Sequence, residues 1–156
     1  MITRILVPTD GSEDALEAAS YAAALARQFG ARVTLLHVVE VPQIPLPIVS
    51  FSPEQRERVR QELRKAGEAI LAMTRKPLHE AGIQAEVELH EGKAPEVIAE
   101  VGAQGVYDLI VMGRHGTTPA ARLLIGSVSE KVSRVAPCPV LIIKKGMARA
   151  SQQASR

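Results

Sequence analysis

Aromatic residues and thiols are scarce in this chain. Its 156 residues include two Phe, two Tyr and no Trp, and Cys138 is the only cysteine. Without aromatics there is no platform for stacking single-stranded bases, and no basic stripe follows any predicted helix, so nucleic-acid binding is not expected. A lone cysteine makes no intrachain disulfide. Set between Pro137 and Pro139 and followed by an apolar run, Cys138 reads as a strand-entry residue and not as a redox nucleophile. No apolar run approaches the ~18 residues that span a bilayer. Met1-Ile2-Thr3-Arg4 leads into a strand pattern with no signal-peptide core or cleavage site, so the expectation is a cytoplasmic protein without membrane contact. His and Cys also lack metal-ligand spacing.

A strong net charge is missing as well. The formal charge of +2, from 19 Lys and Arg against 17 Asp and Glu, is set by the C-terminal end, where Lys144, Lys145, Arg149 and Arg156 lie. The rest of the chain carries more acid than base. Residues 145–156, rich in Ala, Ser and Gln without apolar periodicity, read as a disordered basic tail behind one domain over 1–144. A hydrophobic content of 46% suffices for a single substantial core.

Hydrophobic periodicity alternates between strand and helix along the whole chain. Ile2 to Pro8 is a short apolar strand. Ser12-Glu13-Asp14 then supplies a cap and an acidic first turn for a helix ending before Gly30, with Ala15, Ala18, Ala19, Ala22 and Ala26 on its buried face. Val33 to Val39 is continuously apolar, as in a strand covered on both faces, and His37 within it reads as a satisfied core residue. Glu40 to Ser52, with Pro42, Pro45 and Pro47, is a loop. Ser52-Pro53-Glu54-Gln55 is a capping box with proline at the first helical position, opening a long helix whose apolar stripe is Val59, Leu63, Ala66, Ile70 and Met73. Pro77 is expected to kink or end that helix. Gln84 to His90 alternates like an edge strand, Pro95 to Ala103 is a short helix, Tyr107 to Met112 a buried strand, Ser127 to Val135 a helix and Val140 to Lys144 the last strand. Such alternation makes an α/β protein with a parallel sheet and helices on both faces, and ligands bind such sheets beyond the carboxyl ends of the strands where strand order reverses.

Two loops are equipped for that position. One is Thr9-Asp10-Gly11-Ser12 after the first strand. The other runs from Gly113-Arg114-His115-Gly116 to Gly126-Ser127, between a strand and a helix. Glycine lets the backbone approach a ligand, and the first turn of a helix offers N–H groups without intrahelical partners, so this second segment reads as an anion cradle. Asp10 before Gly-Ser also suits a plain turn or cap residue.

Val7-Pro8-Thr9-Asp10-Gly11-Ser12 together with Gly113-x2-Gly116-x9-Gly126-Ser127 resembles the universal stress protein family, in its ATP-binding branch, and the strand and helix order matches over residues 1 to about 144. The resemblance implies a Rossmann-like five-stranded parallel sheet of the adenine nucleotide alpha-hydrolase type, in the order 3-2-1-4-5, with both loops converging on one crevice. It further implies that Gly113, Gly116, Gly126, Ser127, Val128 and Ser129 hold the phosphates of ATP. Asp10 would face the ribose or a phosphate-bound Mg²⁺, with Pro8 and Thr9 beside it. Val39 would meet the adenine edge through its backbone and Met112 would line the pocket. Arg114 and His115 fall at variable positions of the motif and are carried as site residues without a defined role.

Other nucleotide motifs are missing. Val87 stands where a P-loop ending in Gly92-Lys93 would need glycine, and no G-x-G-x-x-G follows the first strand. No acid, base and nucleophile set is assembled, so at most weak ATP hydrolysis is expected. The leading reading is a nucleotide-dependent regulatory or stress-response module. The alternatives are an interaction protein that forms a homodimer through the last strand, Val140 to Ile143, with nucleotide structural or incidental, and a slow ATPase switch.

Overall fold

The structure, a computed structural model, describes residues 1–42, 51–114 and 126–146. His115, Gly116, the segment 117–125, most of the Pro-rich loop and the tail beyond 146 lie outside the described residues. Along the rest, strands and helices alternate as β1 (Arg4–Pro8), α1 (Glu13–Phe29), β2 (Arg32–Val39), α2 (Pro53–Glu80), β3 (Ala85–Glu91), α3 (Ala94–Gln104), β4 (Leu109–Gly113), α4 (Ser127–Val135) and β5 (Val140–Ile143). The strands form one parallel sheet in the order β3-β2-β1-β4-β5, so strand order reverses between β1 and β4, as expected.

Each face of the sheet is covered. On one side Ile5, Val7, Val33 and Leu35 pack against the alanines of α1 and against Leu71 and Leu78 of α2. On the other, Leu6, Leu36, Ile110 and Met112 meet Ile98 and Val101 of α3 and Val132 of α4. Ile5, Leu6, Val7, Leu35, Leu36 and Ile110 are fully buried, each contributing roughly 1.5–3 kcal/mol of transfer free energy. The small side chains of Ala15, Ala18, Ala19, Ala22 and Ala26, all buried, let α1 lie close on the sheet. Ser12 caps it by accepting from the Ala15 N–H, and Gly30 ends it in the left-handed conformation that glycine adopts without strain.

The long helix α2 narrows one expectation and corrects another. It does not end at Pro77 but runs on to Glu80, which excludes one of the two outcomes expected there. Proline there removes a single donor, and the last turn is rebuilt by Ala81 and Gly82 N–H groups onto the Pro77 and His79 carbonyls, while fully buried Leu78 holds it to the core. The buried face is Gly67, Leu71, Thr74 and Leu78, rotated from the predicted stripe, whose Val59 and Met73 are exposed. Gly67 takes its place because its bare backbone packs on the His37 and Leu89 side chains, where a Cβ would lie 2.7 Å and 2.8 Å from their atoms. A helix turned by one close contact of this kind shows no mark of it in apolar spacing.

At the amino ends of β1 and β4 the Asp108 carboxylate accepts from the Thr3 N–H and hydroxyl, both at 2.7 Å, and from the Arg4 N–H at 3.0 Å. The Thr3 and Arg4 hydrogen bonds hold the Asp108 carboxyl below its ordinary value. Tyr107, expected in the strand, is buried just before β4 with Arg4 over its ring. Burial raises the Cys138 thiol above its usual range, in keeping with a packing role. No helix among the described residues is long and apolar enough to cross a membrane.

Candidate functional site

Beyond the carboxyl ends of β1 and β4 the first loop and the described ends of the second meet at a cleft of about 380 Å³. Pro8, Thr9 and Asp10 line it from the first loop, Met112, Gly113 and Arg114 from the end of β4, and Gly126, Ser127, Val128 and Ser129 from the start of α4. Val39 does not line it. Its side chain is buried and its carbonyl accepts from the Gly92 N–H at 3.0 Å, while its neighbours Val38 and Glu40 face the cleft. The expected residues His115 and Gly116 lie outside the described residues.

The first loop is tied into its own scaffold. The Thr9 N–H donates to the Leu36 carbonyl at 2.8 Å. Thr74 donates its hydroxyl to the Ile70 carbonyl, so at the 2.8 Å contact between the two hydroxyls Thr9 is the donor, and Thr9 Oγ1 in turn accepts from the Gly11 N–H. Asp10 Oδ1 accepts from the Ser12 N–H at 2.9 Å, the turn-closing role open to it from sequence. Its Oδ2 has no hydrogen-bond partner among the described residues. His37 is satisfied, as expected, with Nδ1 at 2.7 Å from the Thr9 carbonyl; since a carbonyl only accepts, Nδ1 carries the proton and donates.

The second region is built differently. Gly113 sits against the first turn of α1, where an added Cβ would lie 2.8 Å from the Ala15 nitrogen and the Asp14 carbonyl carbon. Its glycine therefore has a packing cause in addition to any ligand. Arg114 is held on three sides through its backbone: its N–H donates to the Ile143 carbonyl at 2.7 Å, and its carbonyl accepts from the Gly126 N–H at 2.9 Å and lies 2.9 Å from the Ser129 hydroxyl. Ser129 is buried and its hydroxyl also reaches the Gly126 carbonyl, so its side chain clasps the helix start. At α4 the N-cap is Gly126, and among the described residues no side chain caps the first turn. The N–H groups of Ser127, Val128 and Ser129 precede the first intrahelical donor, Glu130, which bonds the Gly126 carbonyl, and they point along the helix axis toward the cleft.

A second helix start faces the same cleft but is filled. Lys93 provides no side-chain cap for α3, and Glu40 Oε1 accepts from the Ala94 N–H at 2.7 Å instead. Both residues line the cleft, as do Leu36, Val38 and Ile98, which with Met112 make an apolar wall. Sequence reasoning did not select Ser12, Ala15, Leu36, His37, Val38, Glu40, Ala94 or Ile98 as lining residues. Leu36 and Val38 could have been found from side-chain alternation at the end of the second strand, whereas Glu40 and Ala94 meet across 54 positions of sequence without a local signal. No group of three or more His, Cys, Asp and Glu among the described residues is placed to hold a metal ion.

A helix start and an apolar wall at the point where strand order reverses define a doubly wound α/β protein with a cleft at its switch point. The model of the Universal stress protein family matches residues 1–144, and the chain belongs to that family. It is 38% identical over 143 residues to the universal stress protein MJ0531 of Methanocaldococcus jannaschii, covering 91% of this chain and 82% of that one. The solved structure of MJ0577 superposes with a TM-score of 0.78 at 28% identity, covering 93% of this chain and 97% of that one. A universal stress protein solved in complex with cAMP gives a TM-score of 0.64 at 26% identity over 91% of this chain and 96% of its own.

Proposed function

We propose that the cleft binds ATP with Mg²⁺ and that the chain acts as a nucleotide-dependent regulatory module of the stress response. The observation that carries this reading is the uncapped first turn of α4, aimed at a cleft whose other wall is apolar. The N–H groups of Ser127 and Val128 suit phosphate oxygens, and Leu36, Val38, Ile98 and Met112 suit the faces of a base. Asp10 stands between, with Oδ2 for a ribose hydroxyl or for a Mg²⁺ held chiefly by the phosphates, the usual mode for that ion. The related protein in complex with cAMP supports an adenine nucleotide.

Replacing Ser127 with proline tests the reading. Proline is at home in the first helical position, and Gly126, at φ −58 and ψ 149, already has the conformation that a residue before proline prefers. The variant thus removes one N–H and the hydroxyl while preserving the helix. Calorimetric titration with Mg²⁺ and ATP is expected to show saturable binding to the parent chain, about tenfold or more weaker in Ser127→Pro and little changed in Ser127→Ala. No heat with the parent chain and no copurified nucleotide would sink the proposal.

The apolar edge of β5 supports a homodimer as an added element. Ile110 and Arg114 N–H groups bond the Pro139 and Ile143 carbonyls, so the intervening backbone groups of Val140 and Ile142 face outward in the alternating ladder, an edge open to a second copy. Sedimentation should show a dimer that Val140→Lys converts to monomer; a monomeric parent chain would refute it.

A further inference from the structure

The cleft has a polarity in charge as well as in shape. Besides the start of α1, which Ser12 caps, two helix starts face it: the one at α3 already holds an anion, the Glu40 carboxylate on the Ala94 N–H, while the one at α4 has no side-chain cap among the described residues. Among the described residues Arg114 is the only Arg or Lys of the lining, against the carboxylates of Asp10 and Glu40. It adjoins the open start, because its carbonyl accepts from Gly126, the N-cap of α4. Among the described residues no carboxylate pairs with its guanidinium, whereas Arg60, Arg134 and Lys145 are all paired. Its backbone is fixed by Ile143, Gly126 and Ser129, so the side chain departs from a rigid base and loses little freedom on binding.

We infer that Arg114 makes the cleft selective for nucleotides by phosphate number, favouring a triphosphate over a monophosphate. The inference rests on the nucleotide reading above. One phosphate is served by the α4 N–H groups alone. Each further phosphate adds negative charge to a lining that already carries two carboxylates, and among the described residues the positive side chain placed to offset it is Arg114, through charge-assisted and bidentate hydrogen bonds. Glu40 disfavours the reverse orientation, since a phosphate brought to α3 would meet a carboxylate already seated there.

The experiment compares ATP and AMP, both with Mg²⁺, on the full chain, Arg114→Gln and Arg114→Lys. In the parent chain ATP is expected to bind tighter than AMP. In Arg114→Gln the ATP affinity should fall by about 10- to 100-fold and the AMP affinity by less than about threefold, so the preference collapses. Arg114→Lys should recover part of it, as a point charge without the guanidinium fork. Binding of ATP should also depend less steeply on salt in Arg114→Gln than in the parent chain. Unchanged melting temperatures for both variants are expected, because the three anchoring bonds are made by the backbone. A parent chain that binds neither nucleotide overturns the nucleotide reading itself. Equal affinity of the parent chain for ATP and AMP, or an equal loss of both in Arg114→Gln, overturns the inference and leaves that reading standing.

Discussion

The starts of α1 and α4 flank one cleft and are made in opposite ways. At α1 three donors of the loop and first turn are taken up by the chain itself: Asp10 accepts from Ser12, Ser12 from Ala15 and Thr9 from Gly11. At α4 the serines do something else. Ser129 turns its hydroxyl back onto the Arg114 and Gly126 carbonyls, Ser127 is exposed and caps nothing, and the N–H groups of the turn are left for a ligand. A helix start satisfied from within serves as scaffold, whereas under the proposed function the one left uncapped beside it receives the phosphates. The same residue type serves both, so function lies in where the hydroxyl points.

Substitution where the two regions touch should have the largest effect. Gly113 lies against the Asp14–Ala15 backbone with no room for a Cβ, so Gly113→Val must push α1 off β4. A loss of about 3 kcal/mol or more is expected in denaturant unfolding, with nucleotide binding lost alongside. A folded variant of parental stability would show that the glycine is there for the ligand alone.

Within the satisfied start, Thr9→Val should cost about 1–3 kcal/mol, since the Gly11 N–H loses its acceptor and Thr74 a donor in a buried site. Ser12→Ala should cost about 1 kcal/mol through the lost cap, whereas Ser127→Ala should stay within about 0.5 kcal/mol of the parent. Paired melts of the two serine variants sharpen the comparison directly. Equal losses would mean that α4 is capped by its serine after all, and the distinction would fall.

Much of this was legible in sequence because each signal was local. Ser12 and Ser52 announce their helices with the acceptor at the right spacing, and both caps are formed. The alanine pattern of α1 names its buried face correctly, and the parallel order follows from alternation together with the family resemblance. What was not legible depends on distant partners. Glu40 fills α3 across the sheet, Gly67 turns α2 so that its buried face differs from the predicted stripe, and Val39 gives its carbonyl to Gly92 while Val38 lines the cleft. Gly113 was read as a ligand contact, yet its closest constraint is the backbone of α1, a neighbour 98 or more positions away that no local motif reports.

The opposite ends of β1 and β4 extend the comparison to pH, with the smallest effect expected. Where their carboxyl ends open into the cleft, their amino ends are clamped by Asp108, which accepts three hydrogen bonds from Thr3 and Arg4 and whose carboxyl is thereby held below its ordinary value. For an acid with a lowered folded-state value, the ionised form is favoured by folding. Its contribution to stability is present above the unfolded-state value and disappears as pH falls through the folded-state value. Asp108→Asn keeps an acceptor but removes the charge, so the parent chain should be the more stable at neutral pH and the two should converge in acid. Because the clamp lies at the far end of the sheet from Asp10 and Ser127, nucleotide affinity at neutral pH should not change. Melting curves at several pH values check the first statement and titration the second. A stability gap independent of pH would remove charge from the account of the clamp, and a weakened nucleotide would mean that the closed and open ends of the two strands are coupled through the sheet.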